Sequence, residues 1–236
     1  MPNSQDIADK LFQNWWRLLQ NFDINQTAAE KSFTQIVAAY SNPNRYYHNL
    51  KHIDHILEVI QTLKYQTQDL KTVEFAAWFH DIVYETKVQD NEEKSANYAI
   101  ECLSLLSVPS DVIQNVRRLI LITKNHQTSF NDYDAQVLLD ADLAILGSSF
   151  NDYHKYTQAI RKEYIWVPEL EYFAARKRVL QNFLQRDNIY LTAIMQQTKE
   201  KIARNNLENE IEKIRLKVKY SGFHLNRIQK FDFFRR

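Results

Sequence analysis

Apolar residues recur every three or four positions along most of the chain, the spacing that lines one face of an α-helix. A first helix is predicted over about 4 to 21, with Leu11, Trp15, Leu18, Leu19 and Phe22 on one face. A second, about 26 to 40, opens on a capping-box pattern from Thr27 to Glu30 and buries Phe33, Ile36, Val37 and Tyr40. Asn42-Pro43-Asn44 then breaks the pattern. The third, about 48 to 64, aligns Leu50, Ile53, Ile56, Leu57, Ile60 and Leu63; the fourth, about 70 to 84, contains VEFAAWFHDIVY, is apolar almost all round and is expected at the centre. Helices are predicted next over about 91 to 107, 110 to 123 and 134 to 146, the last stopped by Gly147. Beyond lie about 150 to 166, ending near Pro168, then 169 to 185 and a long charged stretch from about 190 to 217. No repeat or linker divides the pattern. It predicts an all-α, single-domain bundle over 1–236, with 48–146 as its core and 150–236 as C-terminal helices.

Composition sharpens this. With 2 glycines and 4 prolines in 236 residues, against roughly 7% and 5% in average proteins, the chain lacks the residues that tight hairpins require at positive φ. It also lacks the glycine-rich loops that cradle phosphates in P-loop and dinucleotide-binding proteins. A hydrophobic fraction of 44% and a net charge of +1 describe an ordinary globular chain, large enough to bury a core without disulfides. Near-neutrality argues against a surface built wholly for nucleic acid, and one cysteine, Cys102, fits a reducing compartment. No run of 18 apolar residues and no leader-like N-terminus occur, so a cytoplasmic protein without a membrane partner is expected. The tail is locally basic, with Lys217, Lys219, Arg227, Lys230, Arg235 and Arg236 against Asp232. It reads either as a terminal segment packing Phe223, Phe231, Phe233 and Phe234 or as a contact for RNA or another anion.

Three polar islands interrupt the apolar helices. His80-Asp81 stands between Ala76-Ala77-Trp78-Phe79 and Ile82-Val83-Tyr84, where an uncompensated charge costs several kcal/mol. On an ideal third helix at 100° per residue, His48, His52 and His55 lie at about 0°, 40° and −20°, on one side of the helix. His52 is nearest the apolar face and His55 leans towards solvent. Such histidines are either hydrogen-bonded core residues or metal ligands. Asp142 is embedded in LLDADLAILG, about 200° from Asp140 on the wheel, so only one of the two can face a given site.

In the order His52, His80-Asp81, Asp142, these residues resemble the HD superfamily of metal-dependent phosphohydrolases. The strings RYYHNLKHIDHIL, AAWFHDIVYE, DNEEKSA and LLDADLAILG, with EKIARNNLENEI near the end, are similar to a group of small bacterial predicted HD phosphohydrolases. The resemblance covers most of the chain and implies an HD-type helical bundle with His52, His80, Asp81 and Asp142 as metal ligands. Tyr47-His48-Asn49-x-x-His52 also resembles the signature of cyclic-nucleotide phosphodiesterases, which implies His48 as proton donor and His52 as ligand. That family's further histidine and glycine after the His-Asp pair are missing, the residues here being Ile-Val-Tyr-Glu.

Hydrolysis of a phosphate ester needs an activated water, cations facing oxygens that gain charge, and a proton for the leaving group. A mixed nitrogen and oxygen site suits Mn, Fe, Zn, Co or Mg, one ion or two, with Asp81 able to bridge. His48 and Asp81 are the expected catalytic residues, and a nucleotide or other small phosphorylated metabolite the expected substrate. Lys124, His126 and Arg45, with Lys51, are candidate phosphate contacts; Lys124, Lys51 and Arg45 also read as solvated surface charges, and His126 as an extra ligand or a loop histidine capping a helix end. Among Glu85, Asn91, Glu92 and Glu93, Glu92 or Glu93 is a candidate support for the ligands, although helix N-termini collect acids for their dipole alone. Two other readings are open: a non-catalytic metal-containing binding module, and a di-iron oxygenase, which would need histidines beyond His126.

Overall fold

The computed structural model describes residues 4–220 and is helical throughout, with no strand among the described residues. The basic, phenylalanine-rich tail from 221 onward lies outside the described residues. No described helix is long and apolar enough to cross a membrane. The chain divides into two compact units, one ending at Asp142 and the next beginning at Leu143. The pattern predicts one domain; the division falls inside the expected seventh helix, where neither glycine nor proline marks it.

The first unit holds α1 (Ser4–Gln20), α2 (Gln26–Tyr40), α3 (Leu50–Leu63), α4 (Leu70–Phe79), α5 (Asn91–Leu105), α6 (Ser110–Thr123) and α7 (Tyr133–Asp142). As its all-round apolarity predicts, α4 is central: it packs against α3, α5, α6 and α7, and every residue from Thr72 to Phe79 is buried. Trp15 of α1 meets Phe75, Trp78 and Phe79 edge-on, with centroids 5.7, 5.4 and 5.8 Å away, the favoured geometry for aromatic quadrupoles. Its indole N–H donates to Ser32 Oγ at 3.0 Å. Glu74, the one acid in α4, accepts from Arg17 at 3.1 Å and from Gln61. The start of α2 differs from the expected capping box: Asn25, in an extended conformation, accepts from Ala28 N, because an asparagine one residue ahead of the helix reaches the free N–H groups of its first turn.

The second unit holds a short 3₁₀ segment (Leu143–Gly147), α8 (Phe150–Glu163), α9 (Glu169–Leu184), α10 (Ala193–Thr198) and α11 (Glu200–Tyr220). The charged stretch expected as one helix is broken between α10 and α11, where Glu200 turns back to accept from Ile189 N and Tyr190 N. Gly147 acts through close approach: a Cβ there would stand 2.8 Å from Lys199 Cβ and from Tyr190 Oη. Arg176 of α9, 4% exposed, donates through Nε and Nη2 to the two carboxylate oxygens of Glu210 at 2.9 and 3.1 Å. Tyr153 donates to the same carboxylate, and Tyr156 Oη accepts from Arg176. A buried fork-on-carboxylate pair of this kind orients α8, α9 and α11 within the unit.

Candidate metal centre

The site begins just before α3. Asn49 is extended, and its Oδ1 accepts from Lys51 N at 3.0 Å while its Nδ2 donates to Tyr46 O at 3.1 Å. The helix therefore starts at Leu50, not at 48, and the wheel that places His48 beside His52 does not apply to His48. The turn nevertheless folds His48 back over the start of the helix. It is buried, with its ring stacked on Tyr84 at 4.1 Å and its Nε2 3.8 Å from Asp81 Oδ2. His52 lies in the first turn of α3, 3% exposed, while His55 is half-buried.

His80 and Asp81 do not sit mid-helix as the apolar run predicts; α4 stops at Phe79. The carbonyls released at its end have partners from elsewhere in the unit. Tyr40 Oη donates to Trp78 O at 3.0 Å, and the Arg45 guanidinium donates to Asp81 O at 2.7 Å, Ile82 O at 2.8 Å and His48 O at 3.3 Å. Arg45 also lies 4.9 Å over the Tyr40 ring. This corrects its expected role: its donors are directed at backbone carbonyls, so it ties the His48 turn to the His80-Asp81 turn rather than facing a phosphate. His80 Nδ1 is 2.8 Å from Ala77 O. A carbonyl only accepts, so Nδ1 carries the proton and Nε2 is turned to the site, the arrangement that orients ligating histidines.

Asp142, the last residue of α7, brings in the fourth element. Its Oδ1 is 3.4 Å from His52 Nε2 and 3.6 Å from His80 Nε2, and its Oδ2 is 2.9 Å from His126 Nε2. His52 Nε2 and His80 Nε2 stand 3.3 Å apart, and Asp81 Oδ2 lies 3.3 Å from the second and 3.9 Å from the first. Among the described residues, His52, His80 and Asp81 each offer a ligand atom within 4.8 Å of the others. Asp142, its side chain 10% exposed, adds a carboxylate against both histidines; Asp140, two residues earlier in α7, is fully buried.

No protein-family model, curated protein or solved structure matches this chain. The chemistry of the donor set has to be judged from its own geometry. Donors bonded at about 2.0–2.2 Å in a tetrahedral array stand about 3.3–3.6 Å from one another. Four of the separations above, 3.3, 3.3, 3.4 and 3.6 Å, fall in that range, and the His52 to Asp81 separation, at 3.9 Å, lies a little outside it. Two nitrogens and two carboxylate oxygens so placed fit a divalent transition metal.

The electrostatics agree. Burial pushes the His52 imidazole down to about 4, so its ring is neutral at physiological pH. Burial also acts to lower His80, but the facing carboxylates of Asp81 and Asp142 outweigh it and hold this ring up to about 10. Burial would raise Asp142, yet the hydrogen bonds from His126, His52 and His80 hold it well below the usual carboxylate range. The carboxylates of Asp81 and Asp142 thus face the His80 ring at 3.3 and 3.6 Å, and ligation through Nε2 would require the proton on that nitrogen to leave.

The remaining candidates separate. His126 is 4% exposed, in a left-handed conformation (φ 48°) just beyond α6, and its ring faces the rear oxygen of Asp142. It is a hydrogen-bond partner of Asp142, an outcome that its place at a helix end only half implied. Lys124, expected on phosphate, is ion-paired with Glu93; that pair also accounts for Glu93 without recourse to the metal. Lys51 is exposed and Glu92 buried. Sequence reasoning missed the clamp on the loop after the His-Asp pair: Ser95 Oγ bonds both Val83 N and Val83 O at 3.1 Å, and Asn91 bonds Glu85 N and O at 3.1 and 3.0 Å. It also missed Tyr84 as the platform for His48. The i,i+4 pair Asn91 and Ser95, polar residues on the same side of α5 as Ala96, Ala99 and Leu103, was the available signal.

Proposed function

We propose that this protein is a metal-dependent hydrolase of phosphate esters, acting as a phosphomonoesterase or phosphodiesterase on a nucleotide or another small phosphorylated metabolite. The observation that carries this reading is the convergence of His52, His80, Asp81 and Asp142 with His48 beside them. These are the residues by which the sequence resembles HD phosphohydrolases. His52, His80, Asp81 and Asp142 would hold one divalent cation, and Asp81, with two oxygens, could share a second. When bound, the cation supplies Lewis acidity towards phosphoryl oxygens and lowers the pKa of coordinated water.

The chain's own groups do the rest. His48 is placed at the edge of the cluster, packed on Tyr84, where it can protonate the departing oxygen as water adds to phosphorus and the ester P–O bond breaks. Asp81 Oδ2 lies 3.8 Å from His48 Nε2, on the side of the ring that faces the cluster. Tyr47, whose ring lies 4.7 Å from His52 and 5.0 Å from His48, covers the site on one side and excludes water from the ligands.

The test is elemental analysis of protein purified without chelator, followed by hydrolysis of bis(p-nitrophenyl) phosphate and a set of nucleotides with Mn²⁺. Stoichiometric metal with turnover that Asp81→Asn abolishes supports the reading. Bound metal with no turnover of any phosphate ester would favour a structural metal module, and failure to take up Mn²⁺, Fe²⁺ or Zn²⁺ would overturn the metal centre itself.

A further inference from the structure

The second unit contains a cleft of about 790 Å³ formed by α8, α9 and α11, within the 300–1,000 Å³ range of small-molecule sites. Four basic residues, Arg161, Lys162, Lys213 and Lys217, line it, against the acids Glu169 and Glu210. Glu210 brings little negative charge to the cleft, because the buried Arg176 guanidinium grips both of its oxygens. Arg161 donates to the carbonyls of Tyr164 and Val167, neutral partners that fix the guanidinium without cancelling its charge. Lys213 and Lys217, one helical turn apart on α11, lie 4.5 Å over Phe150 and 5.3 Å over Phe173. Aromatic faces steady these ammonium groups and leave them charged. Like charges one turn apart on a helix repel, so Lys213 and Lys217 concentrate positive charge on one wall of the cleft, where the lining acids are Glu169 and the arginine-bound Glu210.

The walls supply the complementary feature. Tyr153, Tyr172, Phe173 and Ile214 form an apolar floor. At the mouth Phe150 is 56% exposed, an unusual state for a large ring, and lies almost parallel to His154, with 12° between planes. Such a pair is a platform on which a flat ring can stack. A bare phosphate would use the lysines but neither the volume nor the rings; a neutral aromatic would use the rings but leave the lysines repelling.

We propose that this cleft binds a nucleoside phosphate, its base stacked on the Phe150 side and its phosphates held by Lys213 and Lys217. The site consists of residues from 150 to 217 alone and does not depend on the metal centre. Lys217 is the first residue of the basic run that the sequence marks as a possible anion contact.

Isothermal titration of the full chain in EDTA, which empties the metal centre, tests the proposal with ADP, GDP and UDP as probes. Saturable one-to-one binding of at least one of them is expected, with the corresponding nucleoside and inorganic phosphate each at least tenfold weaker than that diphosphate. The double variant Lys213→Glu/Lys217→Glu should weaken that binding at least tenfold while its circular dichroism and melting stay those of wild type, since both lysines are exposed. Lys201→Glu, an exposed charge at the other end of α11, should leave it unchanged and so separates local contact from general electrostatics. Absence of saturable binding by all three diphosphates overturns the proposal. So does binding that the double variant does not weaken, or binding that inorganic phosphate reproduces at equal affinity. None of these outcomes touches the hydrolase reading, which is tested with metal present.

Discussion

Asp81→Asn separates a metal ligand from a satisfied core carboxylate most sharply. Asp81 is completely buried, with Oδ2 3.3 Å from His80 Nε2. At an effective dielectric constant of about 20, a charge pair at that distance attracts by about 5 kcal/mol, and removing two charges from water costs several kcal/mol per ion in the other direction. The metal-free variant should therefore melt close to metal-free wild type. With metal, the two diverge. Free ion at 100 times its Kd stabilises wild type by about 2.7 kcal/mol, which for a unit of this size is about 5–10 °C in Tm. Removing a residue that only supports a ligand already weakens metal binding about 10–100-fold. A loss of 100-fold or more at a ligand leaves at most about 0.4 kcal/mol at the same ion concentration, about 1–2 °C. Differential scanning fluorimetry with and without EDTA, alongside metal analysis, reads both quantities. Asp140→Asn, a buried acid two residues from Asp142 in α7, should keep the wild-type chelator response. The reasoning is refuted if Asp81→Asn retains full metal content and the same chelator shift, or if Asp140→Asn loses them instead.

His48→Ala should keep its metal and lose roughly 10²-fold or more in kcat on substrates with poor leaving groups, the usual scale of general acid catalysis; equal losses on an activated aryl phosphate would remove the proton-donor role. His126→Ala deletes the 2.9 Å contact to Asp142 and should weaken metal binding about 10–100-fold without abolishing it, as measured by competition with a zinc chelator; unchanged affinity would show that Asp142 needs no support. Arg176→Ala leaves the largely covered Glu210 carboxylate, 12% exposed, without its cation and should destabilise by about 3 kcal/mol in urea titrations; a change below about 1 kcal/mol would contradict the packing described for the second unit. Burial pushes the Cys102 thiol up to about 11, so iodoacetamide should modify it slowly in the native protein at pH 8 and rapidly in urea; comparable rates would place it at the surface.

The helical class was legible in the sequence because amphipathic spacing and glycine scarcity are local properties: each helix carries its own apolar face, and few positions can adopt the backbone of tight turns. The centrality of α4 followed in the same way from a segment with no polar face. The polar islands were legible too. His80, Asp81 and Asp142 stand out because buried charge is costly wherever it occurs, so their setting pointed to one another before any geometry was known. What periodicity misjudged were the ends of helices. His48 was assigned to a helix that Asn49 starts two residues later, and His80-Asp81 to the middle of one that stops at Phe79. Apolar residues continue past that stop because they still pack on the core, and only the partners waiting for the freed carbonyls, Tyr40 and Arg45, determine where the ladder ends. The role of Arg45 was illegible for the same reason: a guanidinium is identical in sequence whether it meets a phosphate or three carbonyls. Likewise the pairing of His126 with Asp142, and of Lys124 with Glu93, joins residues 16 and 31 positions apart. Local pattern determines which residues must be buried; which polar group each of them meets there is decided by the packing of α3, α4 and α7 around one point, since hydrogen bonds and ligand contacts act over about 3 Å and require both partners in place.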